Sequence, residues 1–215
     1  MQEVLYSQLN YLTNILEDYA YVGVGREDGK TKGEFSPIFF REKNLELLKS
    51  STFWLSETPE KISLGWDAAL ERICTYALFE HRKTRKQFLV FNTHFDHVGK
   101  ISREQSVKLI LKKAKELNPS MLPTLIIGDF NLTPEDSPII MLQKFFEDIL
   151  KDLKPKDPKY GTFNGFNTEK NAERRIDYIF QRGFIVKESN HLWIKTPKGL
   201  WASDHHPVYL VCSFQ

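Results

Sequence analysis

The stretch Thr124-Leu125-Ile126-Ile127-Gly128-Asp129-Phe130-Asn131 constrains this chain more than any other. Its first four residues form a short apolar, β-branched run that reads as a buried strand. Gly128 is expected to end that strand, and Asp129 and Asn131 follow two apart. On an extended backbone, residues i and i+2 point to the same side. A carboxylate and a carboxamide are therefore expected side by side at a strand end, where enzymes commonly gather catalytic groups. Pro134 and Asp136-Ser137-Pro138 then stop the strand and open a helix. A plain strand exit capped by Asp and Asn would look the same, so the meaning of the pair depends on the rest of the chain.

A chain of 215 residues, 41% of them hydrophobic, has enough apolar surface for one domain, 1–215, with a large core. A formal charge of +2 gives no broad basic surface, yet excludes neither nucleic acid nor an anionic small molecule. Cys74 and Cys212 both lie in apolar strand-like runs and read as buried thiols rather than a disulfide framework. There is no signal-peptide pattern, no apolar stretch of membrane-spanning length, no low-complexity tract and no repeat at a fixed period. The chain as it stands reads as soluble, cytoplasmic and monomeric.

Glu3 precedes an amphipathic helix with apolar positions Val4, Leu5, Leu9, Leu12 and Leu16. An acid at a helix start also simply suits the helix dipole. Strand-like pieces follow over 19–24, 36–41 and 45–49. Between the first two, residues 25–34 make a polar, Gly-punctuated loop that is either functional or merely solvated. A long loop through Trp66 and Asp67 leads into a hairpin with strands over 73–80 and 87–94. Its charged turn, 81–86, reads as a solvated tip rather than a nucleic-acid patch.

The second hairpin strand ends in Asn92-Thr93-His94-Phe95-Asp96-His97. By the period of two, His94 and Asp96 share a face and His97 takes the other. An acid with two histidines could suggest zinc, but the spacing matches no ordinary zinc pattern and no cysteine joins it. A helix is expected over 102–117, with Val107, Ile110 and Ala114 inward and Lys108, Lys112 and Lys115 in water. Another is expected over 139–150. The aromatic, Gly-rich run 160–166, which holds Asn164, suits a loop facing a ligand or a packed turn.

Residues 174–180, Arg-Arg-Ile-Asp-Tyr-Ile-Phe, form an apolar strand with one acid in its middle. Burying an ionised Asp without a partner is costly, so Asp177 needs one. Ser203-Asp204-His205-His206-Pro207, ahead of a last strand over 208–213, can supply it. An Asp that holds a His in one tautomer is a recurring way of tuning imidazole. Asp177 paired with His205, beside Asp204, would complete an acidic, histidine-bearing pocket, with His206 turned away from it.

In chain order, Gln2-Glu3, Thr93-His94-Phe95, Gly128-Asp129-Phe130-Asn131, Arg175-Ile176-Asp177-Tyr178 and Ser203-Asp204-His205-His206-Pro207 resemble the endonuclease/exonuclease/phosphatase superfamily. Its members include DNase I, exonuclease III, poly(A)-shortening nucleases, sphingomyelinases and inositol polyphosphate 5-phosphatases. The resemblance implies a DNase I-like four-layer α/β sandwich, with two packed, mostly antiparallel β-sheets and helices outside. It also implies hydrolysis of a phosphate ester, by a phosphodiesterase or phosphatase, through an activated water and a divalent metal, Mg²⁺ or Mn²⁺. Carried over residue by residue, Glu3 resembles the metal ligand, with Asp204 beside the metal. Asp129 and Asn131 resemble the pair that positions or activates the water and orients the phosphate. His94 resembles the histidine on a phosphate oxygen, and Asp177 with His205 the Asp–His dyad. Whether Asp129 or His205 takes the proton stays open.

The chemistry fits without the family. A phosphate ester is anionic, so attack by water needs charge neutralisation, which a hard cation on carboxylate oxygens supplies, and a nearby base. His94 and Asn131 add hydrogen bonds where charge grows. Residues 33–39 and 65–70 resemble compact bacterial-type members. Glu34, Trp66, Asp67, Arg72 and Asn164 are expected at the pocket rim, or are structural loop residues; Arg72 would suit a phosphate. Chains of the family place an Asn-bearing strand and a helix before the strand that ends in Gln-Glu. Met1 stands directly before Gln2-Glu3, so the expected form is N-terminally truncated, with any signal peptide upstream. Two other readings are a nuclease acting on DNA or RNA and a binding module impaired by the missing strand. No long basic helix of the kind that grips duplex DNA is present.

Overall fold

The computed structural model describes residues 1–215. Its elements are α1 (Tyr6–Ile15), β1 (Tyr19–Val22), β2 (Ile38–Arg41), β3 (Leu45–Trp54), β4 (Ile73–His81), β5 (Gln87–His94), α2 (Lys100–Leu117), β6 (Thr124–Asp129), α3 (Ser137–Gln143), β7 (Glu147–Asp148), β8 (Asp177–Arg182), β9 (Phe184–His191) and β10 (Val208–Phe214). Side-chain alternation along the strands decides the layers. Cys74, Tyr76, Leu89, Phe91, Ile126 and Phe180 face one way, and Val107, Ile110 and Ala114 of α2 with Ile139 and Leu142 of α3 pack on them. Ala77, Phe79 and Val90 face the other way, onto Ile38 and Phe40 of β2.

Six strands form the main sheet in the order β3-β4-β5-β6-β8-β7. Only β5 and β6 run parallel, because α2 crosses over between them. The register places His94 beside Asp129 and Asp129 beside Asp177, one residue from each of three adjacent strands. Gly128 does not end β6 as expected; it lets the strand continue to Asp129. Its φ is +148°, and a Cβ there would stand 2.0 Å from the Thr93 carbonyl oxygen.

The second strand layer is divided into two antiparallel pairs, β1–β2 and β9–β10. The first packs under α1 through Val4, Leu9 and Phe35. The second meets the main sheet through Phe184 and Phe214 against Phe88. Helices, main sheet, divided strand layer and α1 make up the four layers, with the DNase I-like second sheet in two halves. A groove of about 920 Å³ lies over β6 and β8, between α1 with its leading residues and the start of β10.

Three elements differ from expectation. β3 runs on to Trp54 through Lys49-Ser50-Ser51-Thr52, which is polar because an edge strand shows its side chains to water. The expected helix over 139–150 stops at Gln143 and gives way to β7, a two-residue strand on β8. β9 is half polar, exposed on one side, and showed no strand signal. β7 is held by a buried ion pair: Arg175 Nη1 and Nη2 donate to Asp148 Oδ1 and Oδ2 at 3.1 and 2.8 Å. The same guanidinium lies over the Tyr178 ring at 4.7 Å.

Candidate active site

β5, β6 and β8 deliver His94, Asp129 and Asp177 in one row at one end of the main sheet. The segment before β10 brings His205 to meet them. Its Nδ1 lies 2.8 Å from Asp177 Oδ2 and its Nε2 3.9 Å from Asp129 Oδ2, so the expected pair is formed. Thr162, fully buried, sets Asp177 from behind: its Oγ1 accepts the backbone N–H of Ile176 and of Asp177. No spacing or composition signal had marked Thr162. His206, expected to point away from the pocket, stacks on Trp193 with ring centroids 4.9 Å apart, and it still lines the groove beside His205.

Asn131 joins the site for a different reason from the period of two. The backbone there is left-handed, with φ 49°, a conformation Asn tolerates. Its N–H donates to Asp129 Oδ1 at 2.8 Å, and this turn brings the carboxamide back toward His94. The period also fails past His94, where β5 ends. Asp96 is fully buried, accepts N–H bonds from Val98 and Gly99 at the start of α2, and pairs with Arg72 Nε at 3.3 Å. Burial works against that carboxylate, but the N–H groups of Gly99, Ala69 and Val98, with Arg72, hold it down at about 2.

The five rim residues separate. Glu34 and Arg72 line a small recess beside His94, together with Arg26. Asn164 braces the turn that carries Asp204 and His205: its N–H donates to Asp204 O at 2.8 Å and its Nδ2 to Ser203 O at 3.1 Å. Asp67 caps α2, accepting the N–H of Ser102 and of Ile101. Trp66, left-handed at φ 48°, donates its N–H to Glu57 Oε2. Neither Trp66 nor Asp67 lines the groove or the recess.

Glu3 enters from just before α1, and its Oε1 lies 3.7 Å from His94 Nε2. The donor atoms of Glu3, His94 and Asp129 all fall within 4.8 Å of one another, as do those of Asp129, Asp177 and His205. Asp129 belongs to both triangles. Asp204 lines the same groove as Glu3 but stands outside both. The electrostatics are those of crowded acids. Burial, then the charges of Glu34 and Asp204, push the Glu3 carboxyl up. Burial, then Asp177, push Asp129 up to about 7. Burial pulls His205 down, but the hydrogen bond and charge of Asp177, then Asp129 and Asp204, carry it to about 9. His94, buried and facing Arg72 and Arg26, is pushed down to about 2. Carboxylate oxygens with an imidazole and no thiolate are donors that could hold a divalent metal ion, whose charge would offset the burial and the neighbouring acids that raise Glu3 and Asp129.

A model of the endonuclease/exonuclease/phosphatase family matches residues 2–205. The chain is similar to the crystal structure of an endonuclease/exonuclease/phosphatase from Bacteroides vulgatus, with 36% identity and a TM-score of 0.88, covering 100% of this chain and 84% of that one. It is similar to a mannosyl-6-phosphatase from Bacteroides thetaiotaomicron, with 36% identity and a TM-score of 0.87, covering 99% and 84%. The D. rerio TDP2 structure with a single-strand DNA product, at 17% identity and a TM-score of 0.76 over 99% and 84%, shares the fold. No curated protein matches significantly. The match over nearly the whole chain and the 36% identity make this protein a member of the endonuclease/exonuclease/phosphatase family.

Proposed function

We propose that the protein hydrolyses a phosphate ester, with attack of water organised at Asp129. The observation that carries this reading is the double membership of Asp129, whose Oδ2 faces His94 Nε2 at 3.5 Å on one side and His205 Nε2 at 3.9 Å on the other. Mg²⁺ or Mn²⁺ held by Glu3 and Asp129, with Asp204 near, would neutralise charge on the phosphoryl oxygens.

The chain's own groups divide the proton work. Asp129, with its carboxyl near 7, takes a proton from water as the new O–P bond forms; a cation beside it would lower that value and favour the ionised form. His205, near 9, is an imidazolium at neutral pH and gives its Nε2 proton to the leaving oxygen as the ester P–O bond breaks. Asp177 stays ionised throughout and fixes the ring through Nδ1.

The 36% identity to a mannosyl-6-phosphatase supports a sugar phosphate monoester as the first substrate class to test. The experiment compares a hexose 6-phosphate, bis(p-nitrophenyl) phosphate and single-stranded DNA with Mg²⁺, with Mn²⁺ and with chelator. Turnover should be highest on the monoester and vanish with chelator. Asp129→Asn and His205→Ala should each lower kcat on the order of 10²–10⁴-fold with little change in melting temperature. Full activity in chelator removes the metal from the reading. Turnover of the DNA alone makes the protein a nuclease, and no turnover of any of the three makes it a binding module.

A further inference from the structure

Thr162 and Phe163 lie between the segments that carry the two halves of the dyad. The N–H groups of both donate to the Arg174 carbonyl, at 2.9 and 3.0 Å, and His206 N–H donates to the Thr162 carbonyl at 2.7 Å. Phe163 is thereby a cross-strand neighbour of Arg174 on one side and of His205 on the other, each through an isolated antiparallel bridge. Directly opposed residues show their side chains on the same face, with Cβ atoms about 4.5–5.5 Å apart, while consecutive residues show theirs on opposite faces. Thr162 accordingly turns inward and sets Asp177 through Oγ1. Phe163 turns to the other face and joins the row Arg174, Phe163, His205. Its ring centroid is 5.0 Å from that of His205, with 59° between the planes, and the Arg174 guanidinium carbon lies 5.8 Å from it.

One hydrogen bond does not fix a ring. The bond from Nδ1 to Asp177 Oδ2 holds one atom of His205, and a ring held there can still pivot about that bond and carry Nε2 out of line. Nε2 faces Asp129 Oδ2 at 3.9 Å, too far for a hydrogen bond that would hold it. His205 also lines the open groove, and Phe163 is the one ring that packs against it. A phenyl ring has no polar atom, so it restrains the imidazole without competing for either nitrogen. We propose that Phe163 is a positioning residue for His205: its ring, held in the cross-strand row, stops the imidazole from pivoting about the bond to Asp177 and keeps Nε2 aimed at Asp129 Oδ2. Two consecutive residues then grip the two halves of one dyad, Thr162 the segment of the carboxylate and Phe163 the face of the imidazole. A displacement of about 1 Å at a reacting group costs on the order of a hundredfold in rate. That the aim of Nε2 governs turnover rests on the phosphate-ester reading; that Phe163 sets it does not.

The Nδ1 proton of His205 gives a far-downfield NMR signal whose exchange with water measures how firmly the bond to Asp177 is held, and its loss in His205→Gln assigns it. The wild type should show this signal at neutral pH. Phe163→Ala should broaden it or speed its exchange about tenfold or more. Phe163→Tyr, which keeps the ring, should retain it. Arg174→Met, which removes the exposed cation at the end of the row and leaves the ring, should change it less than Phe163→Ala. On the phosphate ester that the protein turns over, Phe163→Ala should lower kcat about tenfold to a hundredfold with KM within about twofold, and Phe163→Tyr should recover most of the loss. A merely structural ring would instead lower the melting temperature and leave kcat of the folded fraction as it was. A Phe163→Ala signal identical to wild type, a wild-type proton that exchanges too fast to be seen, or a larger change in Arg174→Met than in Phe163→Ala overturns the proposal whatever the turnover. Should Phe163→Ala not fold, Phe163→Val, a smaller strand former, is read by the same criterion. Signals as expected with no ester hydrolysed would leave Phe163 in its role and remove the hydrolase reading.

Discussion

The helix-covered face of the main sheet packs 18 buried residues into one continuous core, whereas the opposite face is covered in pieces. There the core under β2 has 5 buried residues, and a groove lies open over β6 and β8. Ile126 and Phe180 are fully buried on the first face; Ile127 and Ile179, on the same strands, are only half-buried on the second. The difference separates two tasks. A continuous core fixes strand register, and register is what aligns His94, Asp129 and Asp177. The divided face leaves the end of β6 and β8 approachable from the side where Glu3, Asp204 and His205 stand. Stability is concentrated on one face and chemistry at the edge of the other.

The contrast can be broken by substitution. The largest effects on stability should come from Phe180→Ala and Arg175→Ala. The first opens a cavity in the continuous core and the second strands Asp148 as a buried charge; each should cost about 3–5 kcal/mol. Ile127→Ala and Ile179→Ala, in the groove floor, should cost roughly 1 kcal/mol, since they forfeit only part of a side chain's burial. Urea denaturation midpoints measure all four. Equal costs on the two faces would mean that the groove is as tightly packed as the helix side.

A middle-sized effect should distinguish neighbouring histidines. His206 is buried between Trp193, stacked on it, and Trp201, edge-on at 4.8 Å. His206→Ala should cost about 1–3 kcal/mol and lower kcat far less than His205→Ala. A larger loss of turnover in His206→Ala than in His205→Ala would put the reactive histidine on the wrong side of the chain.

The effect that is smallest for each step of the variable is a slope with pH. Folding raises His205 from 6.5 to about 9 by pairing it with Asp177, after the opposing effect of burial. Its contribution to stability is full below 6.5 and is lost as pH rises through 9. Melting temperature should fall across that window, with at most about 1.4 kcal/mol per pH unit from this one proton. His205→Gln should flatten the slope. Parallel slopes for wild type and variant would show that the pairing adds no stability.

Much of this was legible beforehand because it is local. Apolar runs located β4, β5, β6 and β10, and the buried Asp177 demanded the partner that His205 provides. Family resemblance put Glu3, Asp129 and Asp177 in one neighbourhood. The failures came where backbone left regular geometry or where pairing overrode composition. Asn131 converges through a left-handed turn, and Asp96 leaves the face of His94 because β5 has ended. β3 and β9 are strands despite polar stretches, since ladder partners supplied by β4 and β10 hold them. Asp67 looks like a rim acid in sequence and caps a helix in space.

The sequence by itself determined which chemical groups this protein has and which strand ends carry them, because alternation and chain order are written residue by residue. Only the tertiary structure decided their company. Arg26 stands 68 positions from His94 along the chain, and Thr162 lies 15 before Asp177. No local rule links such residues, since a charge acts through distance in space and a hydrogen bond through angle. Asp129 near 7, His205 near 9 and His94 near 2 follow from that company, and two histidines with the same side chain are thereby set apart.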